Sequence, residues 1–171
     1  MNKKAAFVLL MLLIVSFVQA QNSVPLSKTD SALHDSTGFF RTDIIKFAKK
    51  YLGTTYQYGS IDPAKGFDCS GFVYFVFNHF NIRLPDSSKG YKSLGTALKP
   101  DEFKVGDILV FYGYKDKNNI GHVGIICEAD GMKSKFIHAS SGEVYGVTIS
   151  RLDSKMYARR FYKCIDVIRK K

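Results

Sequence analysis

Asp68-Cys69-Ser70-Gly71-Phe72-Val73-Tyr74-Phe75-Val76-Phe77-Asn78-His79-Phe80 is the stretch whose pattern sets the fold. Cys69, Phe72, Val73, Val76, Phe77 and Phe80 recur at offsets of 0, 3, 4, 7, 8 and 11, which places all six on one face of a helix. Leu84-Pro85 closes the segment. Cys69 falls in the first turn, where unpaired N–H groups and the helix dipole favour a thiolate and predict a lowered thiol pKa. Gly71 leaves room for a substrate backbone to approach. The competing reading is a small buried hydrophobe, because Cys69 shares the apolar stripe.

Working outward, Thr42 is placed to cap an earlier helix with apolar positions Ile44, Ile45, Ala48, Tyr51 and Leu52, stopped by Gly53. A loop containing Gly59, Pro63 and Gly66 joins it to the Cys69 helix. After Pro100 the period changes. Asp107–Tyr112, His122–Cys127, Lys135–Ala139, Val144–Ile149 and Arg160–Ile168 are short, β-branched or aromatic segments divided by Gly, Asn and Asp turns. Helices first and an antiparallel meander second predict an α+β fold in one domain over residues 41–171.

A thiol nucleophile requires a base and a group that orients the base. His122 opens one predicted strand and His138 lies in the next, with Asp130-Gly131 as the turn between them. Adjacent antiparallel strands would bring the two imidazoles together. Cys69 with two histidines also resembles part of a metal site, but a further ligand at suitable spacing is needed. His79 falls off the apolar face of its helix, towards solvent, and His34 sits in a polar N-terminal segment, so neither completes one. No metal and no cofactor are expected. Cys127 and Cys164 read as core or sheet residues, with a disulfide between them as the alternative. No Gly-rich phosphate loop follows a strand, and no basic-aromatic RNA motif occurs.

Compartment and charge are read together. Lys3 and Lys4 precede an apolar run from Ala5 to Val18, and Val18-x-Ala20 is a small-residue cleavage site. This predicts a secretory signal over 1–20, the run being short for a membrane span. Residues 21–40 are polar and aperiodic, a flexible linker. The 171 residues carry 25 Lys and Arg against 15 Asp and Glu, a formal net charge of +10. That balance alone suggests nucleic acid or a membrane surface as partner. Cleavage after Ala20 removes two of the basic residues and no acid, which leaves +8. Export then argues against a nucleic-acid partner. Arg159, Arg160, Lys163, Arg169, Lys170 and Lys171 crowd the C-terminus, where an anionic surface such as a membrane face is the expected contact and plain solvated charge the alternative.

Seven short motifs occur in an order that resembles the NlpC-type family of bacterial cell-wall cysteine peptidases. They are Tyr51-Leu52-Gly53, Tyr56-Gln57-Tyr58-Gly59, Phe67-Asp68-Cys69-Ser70-Gly71-Phe72-Val73, Leu84-Pro85-Asp86-Ser87-Ser88, Val105-Gly106-Asp107-Ile108-Leu109-Val110-Phe111, Gly121-His122-Val123-Gly124-Ile125 and Phe136-Ile137-His138-Ala139-Ser140-Ser141-Gly142. The resemblance covers about Thr42 to Phe161 and implies a reduced papain-like fold. It implies an exported peptidoglycan endopeptidase, periplasmic or in the cell wall, acting as a monomer on stem peptides. The bond implied is γ-D-glutamyl–diamino acid or the cross-link between diamino acids. Cys69 would be the nucleophile, His122 its base and His138 the orienting group. Tyr58, Asp68, Ser70 and Ser88 would line the substrate pocket, with Asp68 facing an ammonium. Ser60 and Tyr91 stand where the family often has Gly and Gln, a departure on the substrate side. An amidase or acyltransferase with the same three residues, or a non-catalytic wall-binding module, are the alternatives.

Overall fold

The computed structural model describes residues 40–168. The predicted leader, the linker up to residue 39, His34 and the last three basic residues lie outside that range. Helix α1 covers residues 40–49 and buries Ile44, Ile45 and Ala48. The helix already includes residues 40 and 41, so Thr42 lies inside it rather than at its cap. Tyr51 and Leu52 follow in a turn, and Leu52 is exposed. Strands β1 (Ile61–Asp62) and β2 (Gly66–Phe67) form a small antiparallel hairpin that leads into α2 (Cys69–His79).

The α2 face is the one the periodicity predicts. Cys69, Phe72, Val73, Val76 and Phe77 are buried, and Phe80 becomes the half-buried C-cap. His79 is exposed but does not merely point to solvent, since its ring stacks on Phe47 of α1 with centroids 3.8 Å apart. Two 3-10 turns, Ser88–Lys92 and Pro100–Glu102, connect α2 to the sheet.

The sheet contains β3 (Ile108–Tyr112), β4 (Ile120–Glu128), β5 (Lys135–Ser140), β6 (Gly146–Arg151) and β7 (Phe161–Ile165), in the order β6-β5-β4-β3-β7. A short helix, α3 (Lys155–Ala158), precedes β7. All pairings are antiparallel. The first four strands form the expected meander, while β7 returns to the far edge beside β3. Two strand starts differ from the pattern. β4 begins two residues before His122, and β6 begins after Val144, which is exposed, and Tyr145, whose φ is +46°.

Alternation gives the sheet two buried faces. One carries Ile108, Val110, Val123, Ile125, Ile137, Ala139 and Ile165 against α1 and α2. The other carries Leu109, Phe111, Ile126, Phe136 and Cys164, closed by Leu152 and Tyr157. Cys127 and Cys164 are both free thiols. β3 separates their strands, and two strand spacings of about 4.8 Å exceed the Cα separation of ~7 Å that a disulfide tolerates. The alternative of a bond between them is therefore corrected.

One buried charge cluster joins the ends of the fold. Arg41 of α1 donates from Nη1 to Asp107 Oδ1 at 2.8 Å and to the Val105 carbonyl at 3.0 Å, and Nη2 meets Asp166 Oδ2 at 2.6 Å. Burial pushes the Asp107 carboxyl up, and the hydrogen bond from Arg41 opposes it. Arg41 thus links α1, the entry to β3 and the residue just past β7. Removing the cation takes the Arg41 charge away from both carboxylates, and breaking a buried ion pair typically costs about 3–5 kcal/mol. Arg41→Met is expected to lose stability on that scale, read as a lower urea midpoint at unchanged slope; a loss under ~1 kcal/mol would contradict the role assigned to the cluster.

Candidate active site

Asp68 places the Cys69 thiol. Its Oδ1 accepts from the Gly71 N–H at 2.7 Å, capping α2, and from the Ser70 hydroxyl at 3.1 Å. Its Oδ2 accepts from the Gly59 N–H at 2.9 Å, which ties down the preceding loop. Cys69 is then the first helical residue. A Cβ on Gly71 would come within 2.1 Å of the Ser60 carbonyl oxygen, so only glycine fits under that loop. The carboxylate expected to face a substrate ammonium is thus engaged in building the turn, with Ser70 as one of its donors.

The imidazoles lie on the opposite sheet face from the α2 core. The pairing Ile125↔Ile137, continued one step, sets Gly124 across from His138. A Cβ on Gly124 would lie 2.6 Å from the Phe136 ring and 3.0 Å from His138 Cβ, so its absence makes the space for that histidine. His122 and His138 are both buried, with His122 Nε2 and His138 Nδ1 3.0 Å apart. His138 Nε2 lies 3.0 Å from Ser150 Oγ and 3.3 Å from the Tyr157 hydroxyl.

A bulge lies where the thiol meets β4. β3 and β4 pair Phe111 with His122 but Tyr112 with Ile120, so Gly121 is the extra residue. Bulges increase local twist and re-aim neighbouring side chains. Cys69 Sγ lies 4.0 Å from the Gly121 carbonyl oxygen, and the Val123 N–H points at the sulfur, so the thiol abuts the backbone on both sides of His122. His122 Nε2 is taken by His138, which leaves Nδ1 for a thiol proton. For Nδ1 to accept, Nε2 carries the hydrogen and donates to His138 Nδ1. His138 then holds its own hydrogen on Nε2 and donates to Ser150. With His122 Nδ1 as the acceptor, this one set of tautomers satisfies all the groups in the line.

Electrostatically the thiol and both imidazoles rest neutral. Burial first, then the charge of Asp68, pushes the Cys69 thiol up to about 11, against the N–H groups of Val123, Ser70 and Cys69. The lowered pKa expected from the helix N-terminus is corrected: the desolvation penalty on a buried thiolate outweighs the helix amides. Burial, then His138 and Arg160, holds His122 well below its ordinary range. Burial takes His138 down to about 3.

Tyr58 is 85% exposed. The Gln57–Ser60 turn, closed by Ser60 N–H donating to Gln57 O at 3.2 Å, points it into an open groove of about 560 Å³. Tyr56, two residues earlier and half-buried, feels the site: burial, then Cys69 and Asp68, raises its phenol to about 12, leaving a neutral O–H donor. The turn signature at Gly59 could have separated the two, because residues inside a tight turn face outward. Ser88 is half-buried at the start of a 3-10 turn. That turn also carries Tyr91, fully buried, whose hydroxyl donates to the Pro85 carbonyl at 2.9 Å and whose pKa is raised by burial and then by Cys69. Ser150 and Tyr157 have no motif to mark them; only strand pairing and the placement of α3 bring them to His138. Among the described residues, no group of His, Cys, Asp and Glu is arranged to hold a metal.

A neutral site has a measurable signature. With the thiol at about 11, thiolate is scarce at pH 7 and increases tenfold per unit towards that value. Alkylation of Cys69 by iodoacetamide is therefore expected to climb steadily from pH 6 to 9 with no step near 6.5. A rate flat across that range would reveal a preformed thiolate.

The NlpC/P60 family model matches residues 53–166. A gamma-DL-glutamyl hydrolase of Bacillus subtilis is 38% identical over 110 residues, which is 64% of this chain and 25% of that protein. A probable endopeptidase NlpC homolog of Haemophilus influenzae is 38% identical over 113 residues, 66% of this chain and 55% of its own length. This chain thus spans between a quarter and about half of these two relatives. The crystal structure of the NlpC/p60 domain of the peptidoglycan hydrolase SagA superposes with a TM-score of 0.59 at 28% identity, covering 74% of this chain and 97% of that one. By sequence and by fold, the chain belongs to the NlpC/P60 family of cysteine peptidases.

Proposed function

We propose that this protein is an exported peptidase that hydrolyses an amide bond in peptidoglycan stem peptides, at γ-D-glutamyl–diamino acid or at the cross-link between diamino acids. The observation that carries this reading is the hydrogen-bonded His122–His138 pair, Nε2 to Nδ1 at 3.0 Å, at the bulge against which Cys69 Sγ rests. The γ-glutamyl activity in the name of the Bacillus subtilis relative and the peptidoglycan activity in that of SagA support the substrate class. The basic and apolar leader supports export.

The geometry supports the following steps. As Cys69 Sγ attacks the carbonyl carbon, its proton passes to His122 Nδ1, so charge separates only when substrate is in place. The backbone N–H of Cys69 at the α2 N-terminus and the Tyr56 hydroxyl are the donors for the developing oxyanion, the tyrosine role expected of Tyr58. His122 then protonates the leaving amine, and the thioester remains on Cys69. Water enters, His122 takes its proton, and attack on the thioester releases the acid and restores the thiol. His138 keeps the His122 ring and tautomer in register throughout, and Ser150 does the same for His138.

Purified sacculi test the assignment. Cys69→Ala is expected to reduce peptide release to background with the fold intact, and wild-type release by that variant would overturn the mechanism. His122→Ala is expected to lose roughly 10³-fold in kcat, a typical general acid–base contribution, and His138→Ala only ~10–100-fold, because orientation is easier to replace than proton transfer. Equal losses would mean that His138 moves a proton itself. Mass spectrometry of the released muropeptides identifies the bond.

A further inference from the structure

A cavity of about 400 Å³ opens beside His122, walled by Tyr114, Ser140, Met156, Tyr157 and Arg160. In the reaction proposed above, His122 hands its proton to the leaving amine, so that amine must sit against the imidazole. The cavity that His122 itself lines is then the one that receives the leaving residue. The groove at Gln57–Asp62, on the Asp68 side of the thiol, is left for the acyl half.

Arg160 gives this cavity its chemistry. Its Nε donates to the Tyr112 carbonyl at 2.9 Å, and its guanidinium carbon lies 5.8 Å from the Tyr114 ring centroid. Among the described residues no carboxylate forms an ion pair with it. A half-buried guanidinium without a counter-charge is an unfavourable arrangement that an incoming anion relieves. Its fork is matched to a carboxylate.

We infer that Arg160 binds a free carboxylate on the leaving amino acid, so that the protein selects leaving residues with an ionised carboxyl over amidated ones. This rests on the peptidase reading and assigns its leaving-group pocket. Arg160 also depresses protonation of both His122 and His138. A carboxylate bound to it would lift that repulsion at the moment His122 must become an imidazolium, so the matching substrate helps in the proton transfer as well as in binding.

The test compares kcat/KM for L-Ala-γ-D-Glu-L-Lys and its C-terminal amide, and for the meso-diaminopimelate tripeptide and its side-chain amide, which together locate the carboxylate. Amidation at the recognised carboxyl is expected to cost the wild type about tenfold or more, the usual scale for a charge-assisted hydrogen bond. Arg160→Gln should lose that factor on the acid and change little on the amide, while Arg160→Lys keeps part of the preference. A wild type indifferent to amidation, or an Arg160→Gln variant that loses acid and amide equally, overturns the inference. A second arm needs no hydrolysis. Cys69→Ala protein is titrated with free meso-diaminopimelate, L-lysine and L-lysinamide while the His122 ring resonances are followed by NMR. A response to the acids but not to the amide, abolished by Arg160→Gln, supports the pocket; silence to all three overturns it. If no stem peptide is cut, the peptidase reading fails, and the titration still decides the pocket.

Discussion

The carboxylate of Asp68 is held on three sides, by the Gly71 N–H, the Ser70 hydroxyl and the Gly59 N–H, and the placement of the thiol follows from that hold. One oxygen starts α2, so Cys69 becomes its first residue. The other fastens the loop that carries Tyr56 and Tyr58, in which Tyr56 is half-buried and Tyr58 faces solvent. Losing this carboxylate would free the helix start and the loop together. An N-cap is ordinarily worth about 1 kcal/mol. Here the same group also determines the geometry of the site.

Burial governs the chemistry that the site can perform. A thiolate–imidazolium pair at rest would place two opposite charges in a region where both rings and the sulfur are withdrawn from water, and desolvation opposes each of them. The resting state is instead a neutral thiol and two neutral imidazoles linked by hydrogen bonds. Every ring nitrogen in that line except His122 Nδ1 has a partner at 3.0 Å. In the proposed reaction, a neutral thiol and neutral imidazoles avoid the cost of buried charge until a substrate carbonyl supplies a place for it to develop.

The surplus of positive charge acquires a different meaning in three dimensions. Arg41 is buried among carboxylates and joins α1 to the entry of β3 and the exit of β7. Lys163 donates to the carbonyls of Lys92, Leu94 and Gly95, fastening the strap between α2 and β3 to β7. Arg160 lines the cavity at His122. Sequence proximity groups Arg159, Arg160 and Lys163 into one basic patch, yet the strand geometry of β7 and its approach sends them to separate tasks. A count of basic residues measures the field of the protein, not where that field is applied.

Local periodicity in the chain was enough to place α2, the antiparallel strands and the α+β order, because each rests on which side chains a helix or strand turns inward. It also singled out Cys69, His122 and His138: a helix-start cysteine and two histidines on neighbouring strands are patterns of spacing. The exposure of Tyr58, the part played by Tyr56, the neutral thiol and the hydrogen bonds from Ser150 and Tyr157 to His138 depend on contacts between residues distant in sequence. So does the bulge at Gly121, since it exists only as a mismatch between two strands. The sequence by itself determined which residues are the candidates for chemistry and which elements bear them. Tertiary structure alone decided their ionisation, their partners and the pocket beside them, because desolvation and hydrogen-bond geometry are properties of the packed whole.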